Sequence, residues 1–171
     1  FYVNYKNQFA VVMDDFGQRT DSESAPNIEF AEVIQIVNEA QYALHSAHLA
    51  EKGKLFMTSK FLIATSNVLK HKIASIVYPA ALYRRFTYIA RMKVKPAFAL
   101  PNGSLDQTKI TGVRTDIYDI EIVKMPVGSE TKVEILETVS FKQFVSKILL
   151  SYKKRYTKGQ DYKNFMADDA N

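Results

Sequence analysis

Residues 9–18, FAVVMDDFGQ, constrain this chain more than any other stretch. Five apolar residues run directly into two adjacent carboxylates, Asp14 and Asp15. A continuous apolar run of this length predicts a strand buried on both faces, as in a parallel sheet. Charge is costly inside such a strand, so the two aspartates must emerge where it ends. In open α/β sheets the crevice beyond the carboxyl ends of the strands is where ligands bind. Two carboxylates there suit a divalent cation and an activated water. Aspartate is equally at home in a plain turn, and the stretch alone leaves that reading open.

A second run repeats the pattern. Residues 61–67, FLIATSN, are apolar and β-favouring, then end abruptly in small polar residues. If the two runs are parallel strands, Asn67 reaches the same crevice as Asp14 and Asp15. A neutral amide there would orient water or bind a phosphate without repelling it; alone it reads as a turn or cap residue. Between the runs, residues 19–27 (RTDSESAPN) form a loop by composition, with Asn27 placed as an N-cap. Phe30, Val33, Ile34, Val37, Gln41 and Leu44 then recur at helical spacing and predict a helix over residues 28–44.

The formal net charge is +5, but it is unevenly spread. Residues 1–47 carry two basic and seven acidic side chains, whereas residues 48–96 carry ten basic side chains and only Glu51. A basic middle third suggests an anionic partner such as nucleotide or nucleic acid, and otherwise a solvated basic face. Lys52 and Lys54 flank Gly53 in a basic turn there. Arg84 and Arg85 stand side by side in residues 82–86, LYRRF, so that one could face an interior carboxylate and the other solvent. A guanidinium binds phosphate in a bidentate fork. His45 and His48 lack a third ligand nearby, and a metal site needs three or four. The chain has no cysteine, which excludes disulfides and cysteine-ligated zinc. No apolar stretch is long enough to span a bilayer.

Past Lys95-Pro96 the character changes, and a division into residues 1–96 and 97–171 is expected. Residues 117–124 (IYDIEIVK) and 132–138 (KVEILET) alternate and predict a half-exposed antiparallel hairpin around residues 126–129, PVGS. Ser140 caps a helix whose Phe141, Phe144, Val145, Ile148, Leu149 and Tyr152 make one stripe, ending at Lys153, Lys154 and Arg155. That stripe packs on the chain's own core or forms a subunit contact.

Taken together, VVMDDFGQ, EKGKLFMTSKFLIATSN and ALYRRF, in that order, resemble the superfamily 3 helicase-type ATPase of picornaviruses and of insect picorna-like viruses such as dicistroviruses and iflaviruses. The resemblance covers residues 9–88. It implies an α/β, AAA+ (P-loop NTPase-like) parallel-sheet core followed by the hairpin and amphipathic helix. It implies a nucleoside triphosphatase and RNA helicase of viral RNA replication, hydrolysing ATP with magnesium between subunits of a ring, usually a hexamer. By motif, Asp14 and Asp15 match the Walker B pair, one holding the magnesium shell and the other acting on the attacking water. Asn67 matches the polar sensor of motif C. Arg84 and Arg85 match arginine fingers supplied to a neighbouring subunit, and Lys52 and Lys54 lie where related enzymes contact RNA. The resemblance also implies a homo-oligomer, and host cytoplasm beside replication membranes reached through segments outside these residues.

Two departures accompany it. No glycine-rich loop ending in Gly-Lys-Ser or Gly-Lys-Thr is present, so the phosphate cradle is missing. The chain opens at Phe1 and reads as the part downstream of that loop, inactive by itself. The cysteine-rich zinc site of enterovirus relatives is replaced by the hairpin. The alternative is a non-catalytic RNA-binding or oligomerisation module with an incomplete nucleotide site.

Overall fold

The computed structural model describes residues 5–38, 40–44, 53–126 and 132–168, with side chains described as far as residue 160. Lys52, the His45–His48 pair and residues 127–129 of the hairpin turn lie outside the described residues. The chain forms two compact units, Phe1–Thr87 and Tyr88–Asn171.

In the first unit, β1 (Ala10–Met13) lies parallel to β2 (Phe61–Ala64), with Ala10 opposite Phe61 and Met13 opposite Ala64. Helix α1 (Ile28–Ile36) and the single-turn α2 (Ala80–Tyr83) complete it. The core consists of Phe16, Phe30, Val33 and Leu82, with Met13, Leu62 and Ala64 packed against it from the strands. Among the described residues, only one face of the sheet is covered in this way. Val12 and Ile63, paired across the strands, are 60% and 48% exposed. This corrects the expectation of strands buried on both faces. The first unit has a two-stranded parallel sheet among its described residues, less than a full parallel core.

Helix α1 starts as the sequence predicts. The Asn27 side chain accepts a hydrogen bond from the Glu29 amide at 3.1 Å. It ends eight residues short of the predicted limit, because Val37 leaves helical geometry and caps it. Ala43 instead makes an antiparallel bridge to Phe56, and Leu44, buried, takes a backbone bond to Leu55. Leu44 is apolar because it joins the core from an extended segment, so its helical spacing misleads.

In the second unit, β3 (Ile89–Val94), β4 (Tyr118–Lys124) and β5 (Glu134–Ser140) form an antiparallel sheet in that order. The predicted hairpin is β4–β5. Its exposure divides by strand rather than by face. Central β4 buries Ile120, Glu121, Ile122 and Val123, whereas edge strand β5 exposes Ile135 and Leu136. A bulge at Ile122/Val123 shifts the register. Buried Glu121 accepts from Arg91 Nε of β3 at 2.7 Å. Because β3 pairs with β4, the break between units falls after Thr87, where residue 96 was expected.

Helix α3 (Phe141–Asp168) follows directly. Ser140 and Gln143 make a reciprocal cap: the Ser140 amide donates to Gln143 Oε1 at 2.9 Å and the Gln143 amide to Ser140 Oγ at 3.4 Å. The helix runs past Arg155, the expected end, since no proline stops it and Gly159 merely weakens it. Phe144 packs on the sheet beside Tyr88, whose hydroxyl bonds Ser151 Oγ at 2.7 Å. Leu149, Leu150 and Tyr156 of the helix are exposed.

Candidate functional site

The two parallel strands stop together, and the chain beyond them is tied across the gap. The Thr65 amide donates to the Met13 carbonyl at 3.0 Å, and the Phe16 amide to the Thr65 carbonyl at 2.7 Å. These bonds extend the ladder past the strand ends and set residues 14–16 beside residues 65–67. The Thr65 hydroxyl donates to Asp14 Oδ1, and its oxygen accepts from the Asp15 amide at 3.3 Å. Asn67 Nδ2 donates to Asp15 Oδ1 at 3.2 Å. Asp14, Asp15 and Asn67, read from two separate runs, therefore meet at one place, and all three are exposed to solvent.

Asp15 has φ +52°, in the left-handed region that aspartate tolerates better than most residues. That conformation turns the chain sharply, so that Phe16 drops into the core, 2% exposed, while both carboxylates stay outside. The next residue, Gly17, has φ +75°, and its amide donates to Glu29 Oε2 of α1 at 2.8 Å.

Among the described residues no three His, Cys, Asp or Glu side chains gather into a metal cage. The two adjacent carboxylates form a hard oxygen donor set; the chain has no thiolate, and the histidine beside them, His71, spends its Nε2 on Ser66 and the Phe16 carbonyl. Such a set fits magnesium, which keeps several waters and takes one or two carboxylates plus phosphate oxygens.

The arginines lie elsewhere in the unit. Arg84 is the C-cap residue of α2 and exposed; Arg85 is half-buried, with its Nε buried and unpartnered. Neither pairs with a carboxylate among the described residues, which corrects the expectation that one would face an interior carboxylate. Lys54 sits exposed in the turn that Gly53 makes at φ +76°.

Sequence reasoning missed several residues that build the site. Thr65 braces both aspartates, and Ser66 donates to the Phe16 carbonyl at 2.8 Å. Asp21 accepts from the amides of Asn27, Ala74 and Ser75 at 2.7, 2.6 and 2.8 Å. It thereby pins the loop after the aspartates to the segment after β2. Burial opposes its charge, but these donors outweigh it and hold its carboxyl well below the usual carboxylate range. The polar end of FLIATSN was the available signal for Thr65 and Ser66; Asp21 carried none.

Residues 1–68 match the family described as RNA helicase. The chain is 41% identical over 127 residues, 69% of its length, to the replicase polyprotein of Acute bee paralysis virus. It is 35% identical over 109 residues, 64% of its length, to the genome polyprotein of Theiler's murine encephalomyelitis virus, and 26% identical over 92% of its length to the replicase polyprotein of Cricket paralysis virus. These matches make the chain a picorna-like, helicase-related sequence. It spans 7%, 4% and 10% of those three polyproteins.

Proposed function

We propose that this chain carries the acidic pair, polar sensor and arginines of a nucleoside triphosphatase that acts as an RNA helicase in viral RNA replication. The observation that carries the reading is the meeting of Asp14, Asp15, Thr65 and Asn67 beyond two parallel strand ends, in a chain whose first 68 residues match RNA helicases. The enclosing core is of the AAA+ type, and ATP with magnesium binds between subunits of a ring. Magnesium, when bound, neutralises charge on the phosphates. Asp14 and Asp15 hold its water shell and orient or deprotonate the attacking water, and Asn67 keeps Asp15 aimed. Exposed Arg84, with Arg85 beside it, is offered to the nucleotide of the adjacent subunit.

The test uses the full-length viral protein that contains this chain. Asp15→Asn is expected to lower ATP turnover by orders of magnitude, and Arg84→Ala by about a thousandfold or more. Mixing the two variants should restore part of the turnover, because one junction in the mixed ring then has an intact face from each. Unchanged turnover in Asp15→Asn would sink the assignment.

A specific observation also favours RNA as a partner. Every ion pair among the described residues lies within Tyr88–Asn171, whereas Lys54, Lys60, Lys70, Lys72, Arg84 and Arg85 have none. Cations without internal partners suit phosphates, and binding through them weakens steeply with salt. If Asp15→Asn abolished turnover without touching RNA affinity, both roles would stand. If the wild type bound RNA and never hydrolysed ATP, the non-catalytic RNA-binding reading would replace the first. The exposed Leu149, Leu150 and Tyr156 of α3 suit a subunit contact. Host cytoplasm beside replication membranes is the setting this function requires.

A further inference from the structure

His71 lies outside every motif discussed above, yet it touches three parts of the proposed site. Its Nε2 is 3.0 Å from Ser66 Oγ and 3.2 Å from the Phe16 carbonyl. Ser66 Oγ itself donates to that same carbonyl at 2.8 Å. With the hydroxyl hydrogen committed there, both neighbours of Nε2 are acceptors, so Nε2 carries the ring hydrogen. Nδ1 is buried and unpartnered. The ring stands edge-on to Phe16 and Phe30, with centroids 5.3 and 5.5 Å away. The backbone amide of His71 donates to the Tyr83 hydroxyl at 3.0 Å, and Tyr83 is the last residue of α2, directly before Arg84. The ring also fills the space over Gly17, where a Cβ would come within 2.3 Å of it.

We propose that His71 is a positioning residue that ties the Asp15 turn, the Asn67 loop and the end of α2 into one unit. Asp15 immediately precedes Phe16, and Asn67 immediately follows Ser66. The Nε2–H bond holds the Phe16 carbonyl and Ser66 together, and so sets the separation of the Asp15 carboxylate from the Asn67 amide. The Tyr83 contact joins that pair to the helix end that presents Arg84. His71 touches no reacting atom; it acts through Ser66, Phe16 and Tyr83. The inference rests on the proposed nucleotidase reading for its consequence, but the tether itself is independent of it.

The experiment compares His71→Phe and His71→Gln in the full-length protein. Phenylalanine keeps an aromatic ring against Phe16 and Phe30 and removes the donor; glutamine places an amide N–H near the position of Nε2. His71→Phe should fold and lower kcat for ATP about 100-fold, with KM little changed, since small misplacements of reacting groups cost that much. His71→Gln should recover most of the loss. A purely packing role predicts the reverse order, and that order, or two equal losses, overturns the proposal, as does wild-type turnover in His71→Phe. Amide hydrogen exchange over residues 14–18 and 66–68 supplies an arm that needs no turnover. Faster exchange in folded His71→Phe than in His71→Gln supports the tether, and equal exchange overturns it. A wild-type protein without ATPase activity would defeat the nucleotidase reading and leave the exchange arm to decide on the tether. Should His71→Phe fail to fold, Ser66→Ala, which removes one of the two partners of Nε2 on an exposed residue, takes its place with the same two readouts.

Discussion

Asn67 and Asp15, fifty-two residues apart in the chain, are joined by a 3.2 Å hydrogen bond from the Asn67 amide to the Asp15 carboxylate. Neither strand supplies it alone. It exists because β1 and β2 are parallel and in a register that ends both at the same level, Met13 opposite Ala64.

Thr65 stands between the two carboxylates and serves both. Thr65→Val keeps the shape and removes the hydroxyl, leaving Asp14 Oδ1 and the Asp15 amide without that partner. Because these groups are exposed, water replaces the lost bonds, and stability should change by no more than about 1 kcal/mol. Turnover by the full-length protein should fall roughly 10- to 100-fold from misplacement of the carboxylates. Steady-state kinetics together with a thermal melt check both halves.

Gly17 has a double requirement. Its φ of +75° costs a residue with a Cβ about 1–2 kcal/mol, and that Cβ would enter the His71 ring. Gly17→Ala should therefore destabilise by more than the backbone term alone, by about 2–4 kcal/mol with the overpacking included. His71→Ala removes the obstruction. The double variant should be less unstable than the sum of the singles, as a denaturant-based mutant cycle would show.

Asp21 predicts a pH dependence of stability. Burial opposes its charge, but the backbone amides of Asn27, Ser75 and Ala74 and the Ser75 side chain bind the charged form and hold its folded carboxyl below the ordinary carboxylate range. The unfolded chain therefore takes up the proton first as pH falls. The contribution is complete above the unfolded carboxylate range and is lost progressively on acidification toward the lower folded value. Asp21→Asn should lower the melting temperature at pH 7 and flatten its fall in acid. A wild type and variant with parallel melting curves between neutral and acid pH would contradict this.

Leu82 is fully buried beside Phe16, Phe30 and Val33. Leu82→Ala should destabilise by about 2–5 kcal/mol through lost burial and the cavity left behind. Since Arg84 caps the end of α2, the variant should also weaken any function of the arginines, seen as reduced turnover below the melting temperature.

The sequence revealed the site in proportion to how local its signals were. The two apolar runs, their polar ends, the Asn27 cap and the β4–β5 hairpin each depend on a handful of consecutive residues, and each was legible. The end of α1 was not, because Leu44 is apolar for a reason that involves Leu55 and Phe56. Burial within the hairpin was not, because it depends on β3 flanking β4. The RNA-contact expectation for Lys52 lies outside the described residues, whereas that for Lys54 meets an exposed turn.

What the sequence determined by itself was the order of chemical parts: carboxylates after one apolar run, an amide after another, then two adjacent arginines. Runs of this kind bury apolar side chains on at least one face and expel their charges at the ends, so the position of each polar group follows from composition along a few residues. Only the tertiary structure decided which ends meet. The parallel register brought Asn67 to Asp15, placed Thr65 between the aspartates and set His71 behind them. Those contacts span about fifty residues, and no local propensity encodes a pairing at that distance; packing of Phe16 against Phe30, Val33 and Leu82 does.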